Sequence, residues 1–135
     1  MKVDVDQLPK VGNQGNCLGV REPPNSYPDV EIDTERRVLR NRKGLSVSSD
    51  WRILPGFLIP EHLEDGYNGA KGKNLRVFAH GAGFFKEEAI DDHLALQFKE
   101  GTTQNGVVGP ATQVTLPEFQ NHLAATRNFW IIDES

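Results

Sequence analysis

His93-Leu-Ala-Leu-Gln-Phe-Lys99 alternates apolar and polar side chains with a period of two. Leu94, Leu96 and Phe98 therefore share one face of an extended chain, while His93, Gln97 and Lys99 point the other way. This is a half-buried strand, and it needs something apolar to cover it. The cover follows in the sequence. Thr115-Leu-Pro-Glu118 has the form of a capping box, with proline in the first turn, where a missing N–H costs nothing. Phe119, Leu123, Thr126 and Trp130 then recur at helical spacing and give one stripe to lay on a sheet. A strand that must be covered and a helix that must be buried predict an α+β domain. It is small and mostly β, an antiparallel twisted sheet with the C-terminal helix packed on it.

The remaining strands are shorter. Val30 and Ile32 alternate with Asp29, Glu31 and Asp33. Further strands are expected near Val38-Leu39, at Leu45 and Val47 with Ser46 and Ser48 opposite, and over Leu75 to Ala79 up to Gly81. Gly101 and Asn105-Gly106 read as turns, and Val107-Val108 and Gln113-Val114 as short strands. Trp51 to Pro60 is the most apolar window. Pro55, Gly56 and Pro60 forbid a long helix or a central strand there, so it reads as an irregular plug on the core. Residues 64–74 read as a flexible surface loop. Residues 1–17 have few core-type side chains and several Gly and Asn, and read as a mobile arm or a loop pinned across the surface. Residues 18–135 are then the α+β domain.

Composition narrows the class. At 135 residues the chain suits one domain, which buries roughly two-thirds of its unfolded surface. Thirteen glycines and eight prolines disfavour a helical bundle. A net charge of −4 argues against nucleic-acid binding by bulk electrostatics. The single cysteine, Cys17, forms no internal disulfide and fits a reducing compartment. No apolar leader follows Met1, and no apolar run reaches 18 residues, so no membrane association is expected. The expected location is the cytoplasm, or export by a route needing no signal peptide.

Several motifs bear on chemistry. Glu35-Arg-Arg-Val-Leu-Arg-Asn-Arg-Lys43 concentrates positive charge. Arg36, Arg40 and Arg42 would share a face of an extended chain. They read either as contacts to a phosphate-bearing ligand or an acidic partner, or as a charged edge that resists unwanted strand pairing. His80-Gly-Ala-Gly83 echoes an oxyanion-hole loop, but the chain is too short for the hydrolase fold that uses one. The four histidines have neither HxH nor HExxH spacing and there is no CxxC, so no metal site is expected.

Leu18-Gly-Val-Arg21, Pro28-Asp-Val30 and Gly44-Leu-Ser-Val47, taken in that order, resemble small bacterial ADP-ribosyltransferase-like toxins. The short effectors of type VI secretion belong to that group. The resemblance covers mainly residues 18–60. It implies NAD as a substrate rather than a permanently bound cofactor, Arg21 as the cation for its pyrophosphate, and Ser46 as a catalytic serine on a ligand-facing strand. A cognate immunity or antitoxin protein would be the partner. No Glu-x-Glu or Gln-x-Glu occurs late in the chain, so the resemblance names no catalytic carboxylate. The alternative is a non-enzymatic module that engages an acidic protein, or less readily a nucleic acid, through residues 36–43.

Overall fold

Two antiparallel sheets and one α-helix make up the regular structure of the computed structural model, which describes residues 1–63, 74–81 and 84–135. The expected loop at 64–74 lies almost wholly outside the described residues. In chain order the elements are β1 (Leu45–Ser48), β2 (Phe78–His80), β3 (Glu88–Ala89), β4 (Leu94–Phe98), β5 (Asn105–Pro110), α1 (Leu116–Ala125) and β6 (Trp130–Ile132). β1, β5, β4 and β3 form a four-stranded sheet in that order, and β2 pairs with β6 in a separate ribbon. The domain is α+β, with its larger sheet antiparallel throughout.

Register explains which residues are buried. Leu45 and Leu96 both face Val108, and Val47 and Phe98 both face Gly106. These residues and Leu94 make the apolar face. Ser46 and Gln97 flank Val107 on the other face. α1 covers the apolar face with Leu116, Phe119 and Leu123, which join Leu45, Leu94 and Val108 in one core with Val20, Val30 and Val38. Thr115 caps the helix as its spacing predicts: its hydroxyl accepts the Glu118 N–H, and the Glu118 carboxylate accepts the Thr115 N–H at 3.0 Å.

The apolar stripe outlasts the helix. α1 ends at Ala125, yet Thr126 and Trp130 remain buried. The Thr126 hydroxyl donates to the Leu123 carbonyl at 2.6 Å and accepts the Trp130 indole N–H at 2.9 Å. A buried hydroxyl is thereby satisfied, and the chain turns out of the helix into β6 with its tryptophan facing inward.

Other elements differ from the sequence pattern. Val30 to Leu39 is an irregular hairpin with a single bridge, Ile32 to Val38, closed by Arg36 in the left-handed region (φ 63°). Asp33 holds it by accepting the backbone N–H groups of Glu35 and Arg37, each at 2.9 Å. Those local bonds take the place of a ladder. Trp51 to Leu58 forms two 3₁₀ turns, and only Ile59 and Pro60 in this window are fully buried. Val114 is buried but unpaired in any strand, its carbonyl accepting the Val38 N–H.

Residues 1–18 are tied down by backbone bonds. The Lys2 N–H donates to Asn16, Val3 to Asn74 and Leu18 to Lys10. Arg127, just past α1, clamps this segment through the Pro9 carbonyl (2.9 Å) and both oxygens of Asp6 (2.6 and 2.7 Å). Among the described residues, no helix is long and apolar enough to cross a membrane.

Candidate functional site

A cleft of about 760 Å³ is lined by both sheets. Its floor lies on the apolar face of the larger sheet, with Leu45, Leu96 and Val108. Phe78, His80 and Trp130 line it from the β2–β6 ribbon. Trp51, Leu54 and Leu58 line it from the two 3₁₀ turns, so that apolar window forms a cleft wall instead of filling the core.

His80 stands on these walls, with the free thiol of Cys17 also in the lining. The His80 ring meets Trp130 edge-on at 5.0 Å and Phe129 at 6.4 Å. Burial pushes its imidazole below the ordinary range, against a smaller opposing pull from Asp91, so it is neutral at pH 7. A neutral ring nitrogen in an aromatic cleft can donate to or accept from a ligand.

The mouth is charged. Asp50 caps the first 3₁₀ turn and accepts both the backbone N–H and a guanidinium N–H of Arg52, each at 3.0 Å. Those bonds hold its carboxyl below the usual range. The Arg52 guanidinium lies 4.6 Å from the Trp51 ring centroid. Asp133 is likewise lowered by bonds from the Ser135 hydroxyl and N–H. Glu88, on edge strand β3, is about half exposed, with Lys86 Nζ at 3.9 Å.

The residues singled out from the sequence are dispersed. Ser46 borders the cleft, but its hydroxyl accepts from Lys99 Nζ at 3.2 Å on the opposite sheet face. Arg21 lies in a second hollow of about 460 Å³, with Asn13, Gln14, Glu22 and the Pro23-Pro24 step. Its guanidinium grips Asp29 with two bonds of 2.9 and 3.2 Å, and Asp29 also accepts the Arg21 backbone N–H at 2.7 Å. Gly15 borders both hollows.

Much of the basic run is internally paired. Arg37 meets Asp33 and Glu35, Arg42 meets Glu87 at 2.8 Å, and Lys43 meets Glu31. Arg40 donates to the Ala111 carbonyl at 3.2 Å. Arg36 and Arg40 are exposed and have no carboxylate partner among the described residues.

Sequence reading missed Trp51, Glu88 and Trp130 as site residues. They stand 37 and 42 residues apart in the chain, and no spacing rule joins them. Among the described residues, no group of three His, Cys, Asp or Glu is placed to hold a metal ion. No protein-family model, curated protein or solved structure matches this chain.

Proposed function

We propose that this chain is a nucleotide-binding protein of the ADP-ribosyltransferase-like toxin kind, taking NAD in the cleft lined by both sheets. The cleft itself carries the reading. Its volume falls within the roughly 300–1,000 Å³ usual for small-molecule sites, and its lining sets aromatic and apolar side chains beside nearly as much polar and charged surface. A flat nicotinamide ring suits such walls. The pyrophosphate would pass over Gly15 toward Arg21. That guanidinium is held in place by Asp29, and its side chain is still 32% exposed. A preoriented arginine fork matches phosphate geometry. Ser46, tied to Lys99, takes no part in this scheme. Within the same reading, the protein acts in the cytoplasm or leaves by a signal-peptide-independent route, and a cognate immunity protein restrains it.

Thermal unfolding with and without millimolar NAD tests the proposal. Ligand at about 100 times its Kd adds roughly 2.7 kcal/mol and raises Tm by several degrees. The shift should vanish in Trp51→Leu and shrink in Arg21→Gln, each compared with its own unliganded Tm. A folded wild-type protein whose Tm ignores NAD sinks the proposal.

A further inference from the structure

The cleft's charge and its aromatic lining point to the kind of ring it holds. Among the described residues, three carboxylates, Asp50, Glu88 and Asp133, line it against one guanidinium, Arg52, which is already bonded to Asp50. His80 on the same walls is kept neutral by burial. The Met1 amino group is turned to the Arg76 carbonyl at 2.9 Å, and burial pushes it down to about 6. The charge balance of the described lining residues near neutral pH is therefore negative. Aromatic faces add an electrostatic preference of the same sign, since the ring quadrupole attracts cations. Trp51 already shows this with Arg52 stacked over its ring.

From these walls we infer that the cleft selects a flat organic cation. This rests on the cleft being the ligand site, and it deepens the NAD reading in a definite way. The oxidised nicotinamide ring is a pyridinium cation, whereas the reduced ring is neutral and puckers more easily. The cleft should hold the first and discriminate against the second, although the rest of the dinucleotide is the same. Glu88 is the carboxylate best placed to set this preference. Among the described residues its one ionic neighbour, Lys86, lies at 3.9 Å, whereas Asp50 and Asp133 are committed to Arg52 and Ser135.

Calorimetric titration of the full chain with NAD and with NADH reads the preference directly. 1-Methylnicotinamide and nicotinamide, which differ in ring charge, serve as a fragment pair. NAD should bind roughly tenfold more tightly than NADH, the scale of a partly desolvated cation–π contact. The ratio should fall to about threefold or less in Glu88→Gln, an exposed-strand change that leaves the core untouched. NADH binding as tightly as NAD overturns the inference while leaving the NAD reading intact. So does a ratio unchanged by Glu88→Gln. If 1-methylnicotinamide binds in preference to nicotinamide but neither dinucleotide binds, cation selection stands and the NAD reading fails. If none of the four binds to folded protein at millimolar concentration, both fail.

Discussion

Glu134 shows how one carboxylate can fasten two distant parts of the chain. Its side chain is only 15% exposed, and burial alone would raise its pKa. Bonds from Arg76 (2.7 and 3.1 Å), from His62 (3.0 and 3.1 Å) and from the Val77 N–H outweigh that effect and hold the carboxyl at about 2. The sign follows from linkage. A folded pKa below the ordinary 4.5 means stability that is fully present above pH 4.5 and is lost as pH falls toward 2. Glu134→Gln should therefore cost about 2 kcal/mol at pH 7, once solvent screening is allowed for. In urea titrations of both proteins, the gap should narrow between pH 4.5 and pH 3. A gap that stays constant over that range would show that ionisation of Glu134 contributes nothing to stability. The same residue illustrates a limit of sequence reading. A glutamate near the end of the numbered chain carries no sign that an arginine and a histidine 58 and 72 residues away converge on it.

At the scale of elements, legibility followed how local the determining interactions are. β4 and α1 were readable because their patterns are self-contained: alternation in the first, and in the second a capping box whose partners stand three residues apart. The start of β5 was not. Asn105-Gly106 looks like a hairpin turn, yet it opens β5, one of the two inner strands of the larger sheet. Gly106 is needed there for another reason, since a Cβ would sit 2.6 Å from the Gln97 carbonyl oxygen. Close backbone approach and turn formation both select glycine, and sequence alone does not separate them. Gly44, at the entry to β1, is a stronger case. A Cβ there would lie 2.2 Å from the Val108 carbonyl oxygen and 2.9 Å from its carbon, both backbone atoms of β5. Gly44→Ala should lower stability by about 1–3 kcal/mol, the usual scale of overpacking. Chemical denaturation should show an earlier midpoint with an unchanged slope. A midpoint equal to wild type would mean that β1 does not approach β5 so closely.

The whole molecule joins two sheets of unequal strength around the candidate site. The four-stranded sheet has a core face covered by α1, whereas β2 and β6, among the described residues, have only each other as strand partners. Isolated two-stranded ribbons are marginal in water, so this one depends on its packing through Phe78 and Trp130. Such regions open with free energies below that of global unfolding. Backbone amides of β2 and β6 should consequently exchange with deuterium faster than those of β4 and β5, by about tenfold or more. Because the cleft is lined by both sheets, a ligand seated in it would stabilise the weaker one disproportionately. NAD should therefore slow exchange in residues 78–80 and 130–132 more than in 94–98. Uniform slowing would instead indicate binding coupled only to global unfolding. Slowing confined to residues near Arg21 would move the ligand out of the cleft and into the smaller hollow beyond Gly15. The cleft draws on residues from 1–17, 45–58, 77–81, 84–90, 96, 108 and 130–135, and it forms only when the ribbon docks on the larger sheet. Formation by docking explains why no motif in the sequence announced it.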